Sequence, residues 1–246
     1  MKHNSWHSSL IALAFFTVSV LGCTRSSADV PKNESAGNNN AGASAEGASV
    51  FEDISGSYTV TGTNENGSAY KGALEVIKQG DVYQFRWNAG RQYDGVGIPN
   101  GNVVAVAFTE GSDGKGCGVV SYRIVGDGTL DGKWGYWGLN ESGTEKATRT
   151  GGSSLAGDYK TVGKNPNGSE YKGALTISPK AGGYTFAWDN DATGFGIQRA
   201  NNVSVGIGGA KCAFVAYEVK PGGVLDGVWG GYGSEKTGTE KATKKK

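Results

Sequence analysis

Apolar and polar side chains alternate along most of this chain. In Val82-Tyr83-Gln84-Phe85-Arg86-Trp87 the three aromatic residues fall on one side, with Gln84 and Arg86 on the other, and Tyr184, Phe186 and Trp188 repeat the phase. A period of two over short runs is the signature of half-buried strands, and the aromatic side is the one expected to face a core. Turn signals recur between such runs, and no stretch beyond residue 23 sustains a helical period. The pattern predicts strands over 56–63, 69–78, 82–88, 93–98, 103–109, 118–125, 129–138 and 143–149, and then the same series again. Val104, Val106 and Phe108 match Val203, Val205 and Ile207 as inward positions; so do Val120, Tyr122 and Ile124 with Val215, Tyr217 and Val219, and Leu130, Gly132 and Trp134 with Leu225, Gly227 and Trp229.

The second series is a repeat of the first. GSYTVTGTNENGSAYKGAL is answered by GDYKTVGKNPNGSEYKGAL, and TLDGKW with GTEKAT by VLDGVW with GTEKAT. Self-similarity at this spacing identifies a tandem duplication of one small module. Short connections such as residues 79–81 and 126–128 favour antiparallel hairpins between successive strands. An eight-strand meander removes its edges by closing. The expected fold is therefore all-β: two tandem antiparallel eight-strand barrels, residues 54–150 and 155–246, with β-sandwiches as the alternative. On this reading each repeat has its own core, and residues 51–150 should fold alone.

Upstream, Lys2 precedes an apolar run from Leu10 to Leu21 that ends Val20-Leu21-Gly22-Cys23. The run is short for a membrane span. A small residue before a cysteine at its end resembles the bacterial lipobox, in which the cysteine is lipid-modified and becomes the mature N-terminus. Residues 1–22 are thus expected to be a lipoprotein signal peptide and Cys23 the lipidated residue, an ordinary cleaved signal being the alternative. Thr24, rather than Asp, looks like the outer-membrane sorting outcome. Residues 23–53 are expected to form a flexible tether, because Ser, Ala, Gly and Asn dominate and cannot bury a core.

This changes the chemical inventory. The two histidines, His3 and His7, lie in the expected signal, so the mature chain lacks imidazole. The full chain has 24 basic and 23 acidic side chains, and losing Lys2 leaves it balanced. Such a balance does not suit nucleic-acid binding, which needs a basic face. The Lys244-Lys245-Lys246 run is expected to be a solvated tail, with a role at lipid headgroups as the alternative.

Three sets of residues are candidates for chemistry. Asn64 and Asn66, with Asn165 and Asn167, sit in N-x-N-G-S segments; Asn-Gly is a hairpin turn in its own right, and at a barrel rim these amides could also meet a ligand. Glu145 and Glu240 lie in GTEKAT. If Gly143 and Ala147 mark the inward phase, each glutamate enters its barrel, needs a Tyr hydroxyl or an Arg partner, and could orient a ligand. The plainer reading places them outward beside Lys146 and Lys241. Cys117 and Cys212 occupy equivalent outward positions, and either pair across the repeats or remain free thiols. No histidine is available to activate a thiol, no metal-ligand spacing is present, and no cofactor motif occurs.

The pattern G-x-Y-x-V-x-G-x-N-x-N-G-x-x-Y-x-G-x-L, the Y-x-F-x-W strand and the closing L-x-G-x-W and G-T-E resemble a group of small secreted bacterial β domains, some of them labelled fibronectin-binding. The resemblance covers both repeats and is nearer in the second, at NPNG, than in the first, at NENG. It implies a compact β domain and an extracellular matrix protein as partner. The meander also looks like avidin-type or lipocalin-type barrels by fold alone. The expectation is a non-enzymatic, lipid-anchored protein of the bacterial envelope with two β-barrel binding modules for a matrix protein such as fibronectin. The alternatives are small-molecule capture inside the barrels, which needs a cavity of about 300 Å³ or more, and a structural envelope role without a ligand.

Overall fold

The structure, a computed structural model, describes residues 52–246; the expected signal peptide, Cys23 and nearly all of the expected tether lie outside the described residues. The expected strands are present in both repeats. In the first they are β1 (Gly56–Thr63), β2 (Ala69–Gln79), β3 (Val82–Asn88), β4 (Gln92–Asn100), β5 (Val103–Glu110), β6 (Gly118–Ile124), β7 (Leu130–Tyr136) and β8 (Gly143–Gly151). In the second they are β9 (Gly157–Lys164), β10 (Glu170–Lys180), β11 (Gly183–Trp188), β12 (Thr193–Arg199), β13 (Asn202–Ile207), β14 (Ala213–Lys220), β15 (Val224–Gly230) and β16 (Gly238–Lys244).

They close two antiparallel barrels of eight strands, and the sandwich alternative is not found. The barrels do not follow the repeats, however. One has the order β1-β16-β15-β14-β5-β4-β3-β2 and the other β10-β11-β12-β13-β6-β7-β8-β9. The expected domains 54–150 and 155–246 are therefore corrected. The first barrel combines β1–β5 with β14–β16, and the second is the contiguous run β6–β13. After β5 and again after β13 the chain crosses to the other barrel instead of turning back. Val106 is paired with Val215, and Val205 with Val120. The exchange is possible because β6–β8 and β14–β16 carry the same pattern, so either triplet satisfies the open edges of β1 and β5.

Exchange places a second apolar layer between the barrels. The barrel-outward residues Val96, Ile98, Ala105, Ala107 and Val119 are buried together with Val82, Cys117 and Cys212. Phe195, Ile197, Phe214 and Ala216 form the equivalent cluster from the second repeat. Strands β4, β5, β6, β12, β13 and β14 are thus buried on both faces over most of their length. Cys117 and Cys212 stand in the two crossover segments and form a disulfide, with Cα atoms 5.7 Å apart. Their expected outward phase is correct, but that face is the inter-barrel interface, so the cysteines are buried.

Inside the first barrel, Phe85 stacks between Trp87 and Tyr217 at centroid distances of 5.5 and 6.0 Å. Cross-strand glycines make room for these rings. Gly227 is paired with Tyr217, and a Cβ there would meet the tyrosine ring at 2.5 Å; Gly132 stands in the same relation to Tyr122. Each tyrosine lies across its glycine and reaches the strand beyond, which is the packing reason for glycine in L-D-G. One end of each barrel is plugged: Ile54 and Leu155 are buried there, their carbonyls accepting from the Tyr58 and Tyr159 hydroxyls at 2.5 and 2.8 Å.

Candidate functional site: two carboxylate-floored barrel mouths

Register fixes where the glutamates go. Glu240 is paired with Gly62 and Gly227, and Glu145 with Gly163 and Gly132, near the end of each barrel opposite the plug. Gly143, Glu145 and Ala147 are buried while Thr144, Lys146 and Thr148 are exposed, so the glutamates point inward and the outward reading is corrected. Burial of a carboxylate is tolerable only with hydrogen bonds, and each has three. The Tyr70 hydroxyl donates to Glu240 Oε2 at 2.8 Å, the Trp87 indole N–H donates to Oε1 at 2.9 Å, and the Tyr217 hydroxyl donates to the same oxygen. At Glu145 the donors are Tyr171 at 3.0 Å, Trp188 at 3.1 Å and the Tyr122 hydroxyl.

Both sites are composite. Tyr70 and Trp87 come from the first repeat, Tyr217 and Glu240 from the second; Tyr122 and Glu145 come from the first, Tyr171 and Trp188 from the second. Strand exchange therefore builds each carboxylate site from two repeats.

Above each carboxylate the barrel is open. The first mouth is a cavity of about 160 Å³ lined by Tyr70, Trp87, Tyr93, Phe108 and Trp229 with Glu240 in its floor. The second, about 290 Å³, is lined by Trp134, Tyr136, Tyr171 and Trp188 around Glu145. Both are smaller than the cavity expected for capture of a whole drug-sized molecule. Below the mouths inward aromatics stack, Phe85 between Trp87 and Tyr217 in the first barrel and Phe186 on Trp188 in the second.

The asparagines divide in role. Asn64 and Asn165 line the first and second mouth, and each also donates from Nδ2 to Ser68 or Ser169 at 2.9 Å. Asn66 and Asn167 accept from the Ser68 and Ser169 backbone N–H groups at 3.0 and 3.1 Å, closing the turn. Gly67 and Gly168 follow with φ of 84° and 82°, as an Asn-Gly turn requires. Asn66 and Asn167 are turn residues, and neither lines a mouth. Alternation marks Phe108 and Trp229 only as core positions and does not single out Tyr70 or Tyr93, although all four line the first mouth. The available signal was that all four fall toward the strand ends nearest the GTE segment.

Burial pushes the Glu240 carboxyl above its ordinary range, while the three donors pull it down and only partly offset this. Burial followed by the nearby glutamate charge raises the Tyr217 and Tyr122 hydroxyls well above normal, which keeps them protonated as donors. A carboxyl that holds its proton more tightly when folded contributes stability that is present below the unfolded carboxylate pKa and is lost as pH rises through the folded value. Glu240→Gln does not titrate. Thermal scans at stepped pH should therefore show the native chain gaining stability relative to Glu240→Gln as pH falls from 7 to 4. A pH-independent difference between the two would contradict this account.

No family model, no curated protein and no solved structure matches the chain.

Proposed function

We propose that this protein is a non-enzymatic binding protein of the bacterial envelope, tethered through a lipid on Cys23 at the outer membrane, that receives ligand groups in the mouths of its two barrels. The observation that carries the reading is the recurrence of one arrangement: a buried glutamate held by two tyrosines and a tryptophan under an open, aromatic rim. A carboxylate so thoroughly supplied with donors is held in a fixed place, as an orienting group must be. The mouths open at the barrel ends opposite the plugs. Their size, below the roughly 300 Å³ of ordinary small-molecule sites, suits a compact group of a few heavy atoms, free or protruding from a larger molecule. A matrix glycoprotein such as fibronectin enters the proposal through the sequence resemblance, as a source of such a group. Two linked sites would then raise avidity.

The test uses soluble residues 51–246. A small-molecule panel is screened by thermal shift, and binding to immobilised fibronectin and other matrix proteins is followed in parallel. Every binder found is mapped on the indole N–H resonances. Binding that moves the Trp87 or Trp188 indole supports the proposal. Saturable binding that leaves both indoles unmoved places the ligand elsewhere and contradicts it.

A further inference from the structure

The two mouths have diverged in a way that points to ligand chemistry. Strand register aligns Tyr93 with Ala192 and Phe108 with Ile207, since Gly95 and Gly194 pair with Phe85 and Phe186 in the two barrels. The first mouth is accordingly narrower and has more aromatic wall. Tyr93 meets Phe108 edge-on at 5.8 Å, Phe108 lies 5.5 Å from Trp87, and Trp229 closes the other side against Tyr70 at 6.5 Å. The single charge in its lining is Glu240, and neither Lys nor Arg is present there. The second mouth instead includes Lys172 and Asp189 beside Glu145.

Resting on the reading of the mouths as ligand sites, we propose that the first mouth binds a compact organic cation of the quaternary ammonium class, seated over Glu240 within Tyr70, Trp87, Tyr93, Phe108 and Trp229. The negative ring faces attract a cation, and the attraction strengthens where water is excluded. The ionised form of Glu240 adds an opposite charge, and no Lys or Arg of the lining neutralises it. An alkylated nitrogen suits a lining of five aromatic rings against one carboxylate: Glu240 Oε1 already accepts from Trp87 and Tyr217 and Oε2 from Tyr70, so the carboxylate has few lone pairs left for the three donors of a primary ammonium. A quaternary nitrogen carries none. A hard metal ion is disfavoured for the complementary reason, since it needs several oxygen ligands and the lining supplies one carboxylate.

The test titrates residues 51–246 with choline chloride and with its uncharged carbon isostere, 3,3-dimethyl-1-butanol, against a sodium chloride control of equal ionic strength, following indole N–H resonances. Choline should move Trp87 and Trp229 saturably, and the isostere should bind at least about tenfold more weakly. Tyr93→Ala and Phe108→Ile should each weaken choline binding about fivefold or more. These are the residues the second barrel already holds at those places, so the barrel should close with them. Equal binding of choline and isostere would overturn the cation assignment while leaving the mouth as a ligand site. Failure of choline to move either indole would also overturn it, whatever the wider ligand panel finds. Choline binding unchanged in both variants would remove the aromatic walls from the account.

Discussion

Residues 112–212, produced alone, should fold as a closed eight-strand barrel, whereas residues 51–150, the entire first repeat, should fold only by exchanging strands with a second copy. The first fragment contains β6–β13, every strand of the second barrel in sequence order. It also holds that barrel's buried core from Val120 to Ile207, Leu155 and Tyr159 included. Glu145 keeps all three donors, and Cys117 and Cys212 remain to join the fragment's two ends. The repeat fragment divides differently. It has five strands of one barrel and three of the other, and Tyr171 and Trp188 are missing from Glu145. Its β6–β8 can replace β14–β16 only by closing on a β1–β5 unit, and in the native chain those units belong to different barrels. Two copies would satisfy every edge by reciprocal exchange and cover the apolar outer faces of β4 and β5. Light scattering with thermal denaturation decides the matter. A cooperatively folded monomer from residues 51–150 together with an unfolded 112–212 fragment would contradict the composite architecture, whereas self-association of a folded 112–212 fragment through its exposed outer face would not.

Removing the disulfide should have the next largest effect. It closes a loop with a sequence separation of 95 residues. In the chain-entropy account, a cross-link over about 100 residues restricts the unfolded chain by about 4.7 kcal/mol, with measured losses commonly about 2 to 5 kcal/mol. The native bond also pins the two crossover segments to one another, where the exchanged halves part. Alanine is the suitable replacement, because both cysteines are buried among apolar neighbours and a serine hydroxyl would need a partner there. In urea, Cys117→Ala/Cys212→Ala should unfold at a clearly lower midpoint while the barrels and the environments of Trp87 and Trp188 persist. A loss below about 0.5 kcal/mol would mean that the bond does not constrain the unfolded chain as the entropy account requires.

Much of this architecture is legible in the alternation of residues. The inward rows Tyr83, Phe85 and Trp87 and Tyr184, Phe186 and Trp188, with the short connections between successive strands, are enough to predict closed barrels. The outer faces were harder to read. Val103 to Phe108 and Gly118 to Tyr122 are apolar or small in both phases, a mark of strands buried on two sides, but alternation assigns only one face to a core. The strand exchange lies beyond such reasoning for a physical reason. Val120 and Val215, Tyr122 and Tyr217, and Glu145 and Glu240 are interchangeable in type and spacing, so hairpin rules and cross-strand pairing are served equally by either connection. What separates the two is packing between the barrels, a long-range property. The mouths were half visible. Gly143 and Ala147 set the inward phase of Glu145, while the polar residues on both sides of GTEKAT left that phase open.

The most direct measurement of the central claim, that each carboxylate site is assembled from two repeats, is the indole N–H spectrum of residues 51–246 carrying Glu240→Gln or Glu145→Gln. Trp87 donates to Glu240 and Trp188 to Glu145. The Trp87 resonance should move in Glu240→Gln and stay in place in Glu145→Gln, and Trp188 should do the reverse. The opposite pairing, Trp87 responding to Glu145 and Trp188 to Glu240, would place each site within its own repeat and contradict the account.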